Sequence, residues 1–290
     1  MDAPIHPPPT LRMTQQALSL TRAPAAPQLR AWVERLWLHA GVRPAAAGRE
    51  LCLPSVRQRI VSRLDGAPMR RFFSADDRDG IEQPRLQWCG LRLEPVLRSP
   101  ADAGLSLGIE LRPGASLAFL GLPADRLAGQ YLGLDALMPA ALRRDFSALR
   151  RMPAGAEMLD RVEELLLAWL RRACPPALTI GDTDTCLTAL AAGTPVLQLA
   201  AQSGLSHRAW LAQFRAAVGC TPRAWLGLAR FSHALQLLAQ VDPPGLSEVA
   251  AAAGFFDQAH LCRSFAAHAG IAPGAYRRSP PRWAEHLLLR

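Results

Sequence analysis

The spacing of apolar positions along this 290-residue chain changes partway, and the change divides it. From Leu29 to about Gly121, apolar residues come in short runs closed by turn-forming residues. Arg59 to Leu64 is closed by Asp65-Gly66, and Leu105 to Leu111 by Pro113-Gly114. Short runs between Asp-Gly and Pro-Gly pairs predict strands and hairpins. The stretch Leu29 to Leu38 fits strand or helix, because its periodicity alone does not separate the two. From Asp125 to Arg172 the spacing turns helical. Leu159, Val162, Leu165, Leu166 and Trp169 recur three and four apart, with Asp160, Arg161, Glu163 and Glu164 between them, which marks one apolar face. Residues 174–182 hold two prolines and a glycine and predict an interdomain linker. From 183 to 280 the pattern reads as short helices and tight turns. The expected fold is therefore two-domain. A Pro-rich flexible lead-in (1–27) precedes an α+β, β-rich N-terminal domain (28–173, strands then helices), and an all-α domain follows the linker.

The C-terminal pattern occurs twice. Ala200 and Gly204 match Ala250 and Gly254 fifty residues on. After the turn the offset becomes fifty-one: Ser206 matches Asp257, Phe214 matches Phe265, Gly219 matches Gly270 and Pro222 matches Pro273. The extra residue falls in the second turn. Each position has a physical reason. A small Ala lets a second helix cross closely. A Gly supplies the left-handed backbone that ends the first helix. Ser206 and Asp257 suit the N-cap, where a side-chain oxygen accepts from exposed amides. Phe214 and Phe265 anchor the second helix from its inner face, as does Trp210. The pattern is a helix-turn-helix repeated in tandem, in which each second helix can enter a major groove.

Charge and cysteine content refine this reading. The net charge is +9, which favours a polyanionic partner. Residues 181–290 hold only 9 Arg against 6 Asp and Glu, so the excess is not concentrated in the repeat, and the chain contains no Lys. Cys52, Cys89, Cys174, Cys186, Cys220 and Cys262 form no C-x-x-C pair and no zinc-ligand spacing. Neither a metal nor another cofactor is expected. Met1-Asp2-Ala3-Pro4 and Pro7 to Pro9 lack the basic and apolar regions of a signal peptide. No apolar run of about 18 residues occurs, so a cytoplasmic location is expected.

The second copy, Gly254-Phe255-Phe256-Asp257-Gln258-Ala259-His260-Leu261-Cys262-Arg263-Ser264-Phe265, then Gly270-Ile271-Ala272-Pro273 and Tyr276-Arg277, resembles the signature of the AraC/XylS family of transcription regulators. The resemblance covers roughly residues 183–278. It implies a double helix-turn-helix DNA-binding domain, the two units joined by a long helix, here about Pro222 to Ala239. It also implies two recognition helices set in successive major grooves, about 34 Å apart. Leu36-Trp37, Leu53-Pro54 and Leu107 to Ala115 are similar to an N-terminal domain found in a subset of these regulators. The acidic, glycine-containing motif usual after Leu-Pro reads Ser55-Val56-Arg57-Gln58 here.

Carried onto this chain, the resemblance implies a non-enzymatic activator or repressor that binds double-stranded DNA. The first recognition helix would run from His207 to about Val218, with Arg208, Leu211 and Ala212 facing bases and His207 near the backbone. The second would run from Gln258 to about Ala267, with Gln258, Ala259, His260, Cys262 and Arg263 facing bases. Arg208 and Arg263 suit guanine and Gln258 suits adenine, whereas Arg215 and Arg277 suit phosphate. Leu211 and Ala212 replace the polar residues usual in the first helix, leaving it to contact thymine methyls or only to position the protein. RNA polymerase, a small-molecule effector of the 28–173 domain, and a second copy docking through residues 157–172 are the other implied partners. Arg57, Arg59 and Arg112 stand either as solvated strand residues or as a site for an anionic ligand. Two other functions remain open. One is a family member acting only through protein contacts; the other is a DNA-repair alkyltransferase that also regulates, which would need activated thiolates.

Overall fold

Along β2 (Val33–Ala40) the side chains alternate, Leu36 and Leu38 to one side, Arg35, Trp37 and His39 to the other. This period of two is what a sheet with two different faces requires. The computed structural model describes residues 18–40, 49–99, 104–173, 182–278 and 285–289. The expected linker, apart from Asp182, and the first 17 residues lie outside them.

Six strands form one sheet in the order β1-β2-β9-β4-β7-β10. They are β1 (Ser19–Arg22), β2, β4 (Gln58–Arg63), β7 (Leu86–Cys89), β9 (Leu105–Leu111) and β10 (Tyr131–Gly133). Register places Leu36, Ile109, Ile60 and Trp88 in one row across β2, β9, β4 and β7. All four are buried. That row packs under the helices α1 (Ala115–Leu120), α2 (Ala140–Ala148) and α3 (Ala156–Arg172) in one apolar core. The neighbouring row, Trp37, Gly108, Val61 and Gln87, belongs to the opposite face. A Cβ on Gly108 would lie 1.9 Å from the Trp37 ring, so only glycine leaves room for that indole.

The second sheet runs β11-β3-β8-β5-β6. It comprises β3 (Arg49–Cys52), β5 (Arg70–Phe72), β6 (Ile81–Glu82), β8 (Val96–Arg98) and β11 (His286–Leu289). The last of these comes from beyond the helical domain. It pairs antiparallel with β3, His286 opposite Cys52 and Leu287 opposite Leu51. The chain's end thus returns to the N-terminal domain.

The helical region comprises α4 (Thr183–Ala191), α5 (Val196–Gln202), α6 (His207–Val218), α7 (Pro222–Leu238), α8 (Leu246–Ala252), α9 (Gln258–Ala269) and α10 (Pro273–Arg278). Its core gathers Trp210, Phe214, Phe231, Phe265 and Tyr276. Leu53, Leu91 and Leu287 join that same cluster, so the two domains share buried surface. The backbone amide of Gly114 also donates to the Ala217 carbonyl at 2.8 Å, and Arg112 pairs with Asp184.

Two expectations are corrected and one open reading is resolved. The lead-in expected through residue 27 ends earlier: Ser19–Arg22 is an edge strand paired with β2, and Pro27–Leu29 is a 3-10 turn. The open stretch from Leu29 resolves into that turn and β2. Residues 157–172 offer no apolar stripe to a second copy, because Met158, Leu159, Val162, Leu165, Leu166 and Trp169 are buried in their own domain. Of the described residues outside that stripe, Glu157, Asp160, Arg161, Glu164, Arg171 and Arg172 are exposed.

No described helix is long and apolar enough to cross a membrane.

Candidate nucleic-acid interface

The two helix-turn-helix units are built by the residues that repeat. Ala200 and Ala250 are buried where α5 meets α6 and α8 meets α9. Gly204 (φ 68°) and Gly254 (φ 76°) take the left-handed backbone of the turn. Ser206 then caps α6, its side chain accepting from the Ala209 amide at 3.2 Å. Asp257 caps α9 the same way, accepting from the His260 amide at 2.6 Å. The extra residue, Phe256, changes the approach but not the cap: the N-cap φ is −63° at Ser206 and −153° at Asp257. Phe256 itself is exposed. Phe214 and Phe265 are fully buried anchors, and Trp210 is core, stacked 5.1 Å from Phe214. Gly219 and Gly270 end α6 and α9 in the left-handed region, each amide closing onto the helix it follows. α7 joins the units; Thr221 caps its start and Pro222 fills its first turn.

The expected site residues divide by exposure. On α6, His207, Arg208, Ala212 and Arg215 are exposed, while Leu211 is half-buried against the domain core. On and after α9, Gln258, Ala259, Arg263 and Arg277 are exposed. His260 and Cys262 are half-buried. The His260 ring stands perpendicular to Phe255 at 5.3 Å, and its Nδ1 lies 3.4 Å from the Phe256 amide. It therefore braces the turn as well as lining the helix start. Gln258 accepts from the Ser247 hydroxyl at 2.9 Å, which holds its amide across to α8. The exposed cations Arg223, Arg230 and Arg278 were not among the expected residues. For the first two, the spacing of seven between Arg223 and Arg230, about two helical turns of α7, is the signal that could have found them.

None of this surface is acidic in the first turn of α6 or α9. α6 thus opens on a neutral cap and a basic first turn, the polarity that favours an anion, whereas the Asp257 carboxylate stands at the N-cap of α9.

Residues 199–279 match a family described as helix-turn-helix domain. No curated protein matches the chain. Among solved structures, the chain is similar to the DNA-binding domain of AdpA, a global transcriptional factor, in complex with a target DNA. The identity is 29% over 36% of this chain and 92% of that one, with a TM-score of 0.31. ToxT from Vibrio cholerae is 10% identical over 86% of this chain and 98% of its own, with a TM-score of 0.45. An AraC-type regulator from Chromobacterium violaceum is 25% identical over 33% and 88%, with a TM-score of 0.28. The C-terminal part of this chain, residues 199–279, thus carries a helix-turn-helix domain.

Proposed function

We propose that the chain is a sequence-specific transcription regulator that sets α6 and α9 into successive major grooves. The observation that carries this reading is the duplication itself. Two helices, each with a side-chain cap, a buried Phe anchor and a glycine stop, each present an exposed Arg in the first two turns, Arg208 in the first turn of α6 and Arg263 in the second turn of α9. In this reading Arg208 and Arg263 contact guanine with paired donors, Gln258 and Ala259 lie beside them, and Arg215 and Arg277 hold phosphates. Leu211, half withdrawn into the core, leaves the first helix fewer base contacts than the second. The N-terminal domain, 28–173, is the regulatory part and responds to a small molecule.

The alkyl-transfer alternative finds no support in the described thiols. Burial raises the Cys89 thiol to about 11 and the Cys220 thiol to about 12. An alkyl acceptor needs the opposite shift.

Selection of bound sequences from a random duplex pool tests the reading. The expected product carries two motifs about 10–10.5 base pairs apart, centre to centre. Failure to retain any sequence above the non-specific level at physiological salt overturns it.

A further inference from the structure

Between the two sheets lies a cavity of about 370 Å³, within the range of about 300–1,000 Å³ in which small molecules are held. Its walls come from the polar row of the first sheet and from β8, β10 and the C-terminal segment. Trp37, Val61, Met69 and Tyr131 supply apolar surface, and Arg59 and Arg92 supply charge. Two groups on these walls are unusual. Gln87 and Arg92 are 1% and 6% exposed, yet Gln87 Oε1 and Arg92 Nε have no hydrogen-bond partner among the described residues. Buried polar groups are normally satisfied.

The anion that faces these arginines is supplied by the chain's own end. One carboxylate oxygen of Glu285 accepts from the Ser55 hydroxyl at 3.1 Å. The other accepts from Arg59 Nη2 at 2.6 Å and lies 3.8 Å from Arg92 Nη2. Without Glu285, Arg92 has no acidic partner among the described residues, and Arg59 keeps only Glu110, at 3.5 Å. The opposite corner is already neutralised. Glu50, Cys52 and His286 bring ligand atoms within 4.8 Å of one another. Arg98, however, donates to Glu50 at 2.9 Å and sits 3.2 Å from His286 Nδ1, so a fixed cation fills the place a metal would take.

We propose that this cavity binds a small organic carboxylate, that Glu285 holds its anion position in the unliganded chain, and that the ligand acts by displacing the C-terminal strand. The inference rests on the regulator reading and adds to it the ligand class and the device. A single carboxylate suits the site better than a doubly charged phosphate, because Glu110 also lines it. The apolar walls take the body of the ligand. Displacement reaches the helical domain because the same strand carries Leu287, buried in the cluster that holds Phe214 and Phe231. Withdrawing β11 removes part of the surface that ties the two domains together.

The test uses the full chain without DNA, so its outcome is separate from that of the sequence selection. Benzoate and octanoate are titrated into wild type, Glu285→Gln and Arg59→Gln, with inorganic phosphate and chloride at matched ionic strength as controls. Exchange of the Leu53 amide, which donates to the Glu285 carbonyl at 2.8 Å, reports whether the strand has left. Glu285→Gln is expected to bind at least one of the two carboxylates about tenfold tighter than wild type, and Arg59→Gln to lose binding. In wild type, saturation with that carboxylate is expected to speed exchange at Leu53. Equal affinity of wild type and Glu285→Gln, no binding of either carboxylate at millimolar concentration, equal effect of phosphate, or binding that leaves Leu53 protected would each overturn the proposal. Should Glu285→Gln fail to fold, exchange in the wild type alone decides.

Discussion

Glu285 and Arg59 stand 226 positions apart in the chain and meet at 2.6 Å. One belongs to the segment after the helical domain, the other to a strand in the middle of the first sheet. Their pairing, with the β11–β3 ladder beside it, closes the molecule end to middle.

Acid is expected to open this closure. Burial alone would raise the Glu285 carboxyl, but the charges of Arg59 and Arg92 outweigh it and bring it from 4.5 to about 2. Glu50, likewise buried, is brought from 4.5 to about 2 by its hydrogen bond from His286 and the charge of Arg98. A carboxyl whose folded value is depressed stabilises the fold above its unfolded value. That contribution is lost as pH falls from about 4.5 towards 2. Thermal melting between pH 6 and pH 2.5 should show the wild type losing stability steeply below about 4.5, and Glu285→Gln losing it less steeply. Parallel curves would show that the pair carries no such linkage.

The cap residues give a second expectation. Ser206→Ala and Asp257→Ala each remove the side-chain oxygen that accepts an amide of the first turn. Each should cost about 1 kcal/mol. The caps serve different helices and share no partner, so the double variant should cost about the sum. Urea unfolding of the three variants measures this. A clearly larger loss in the double variant would mean that the two units stiffen each other through α7.

These caps were legible in the sequence, and the reason is local. A Ser or Asp after a Gly, three residues ahead of an amide it must accept, is a pattern complete within a few positions. The start of both α6 and α9 could be read to the residue. The runs of β4 and β9 were legible as strands from the turns that close them, β2 only as strand or helix, and what lay beyond the polar face was not legible in any of them. Arg35, Trp37 and His39 read equally well as a row facing water and as the wall of a polar cavity. Arg57, Arg59 and Arg112 show the same limit. Arg57 pairs with Glu34 and Glu110, Arg112 with Asp184, and Arg59 faces the cavity. Which of them meets which acid depends on register and on a strand that arrives from the far end of the chain. His286 to Leu289 is a short apolar run with no local partner, so nothing nearby in sequence announces its place.

Gly108 offers a third test, of the cavity wall. Its Cβ, if present, would lie 1.9 to 2.0 Å from the Trp37 ring. The indole must move, and the core row on the other face of the same strands, Leu36 and Ile109, resists a shift of the backbone. Gly108→Ala should destabilise the chain by about 1–3 kcal/mol, the range of overpacking, and change Trp37 fluorescence. Adding Trp37→Leu should recover most of the loss. If it recovers nothing, the cost of Gly108→Ala lies in the backbone rather than in the contact with Trp37.

Arg263 and Arg277 separate specificity from attraction. Both are exposed on the second unit, but they stand differently. Arg263 lies in the second turn of α9, where a helix seated in the groove meets base edges. Arg277 lies near the end of α10, outside the proposed recognition helix, next to Tyr276, whose ring is buried against Phe265. A base-edge contact made by forked donors is worth about 1–3 kcal/mol of discrimination. Arg263→Ala is therefore expected to weaken binding to the selected sequence by that amount and to relax preference at one base pair. A phosphate contact carries no sequence information. Arg277→Ala should weaken all sequences alike and lower the salt dependence of binding by about one counterion. Measuring both variants on selected and scrambled duplexes at several salt concentrations distinguishes the roles. If Arg263→Ala lowers affinity for every sequence equally, the residue reads no base, and the assignment of α9 as the helix that specifies would fall.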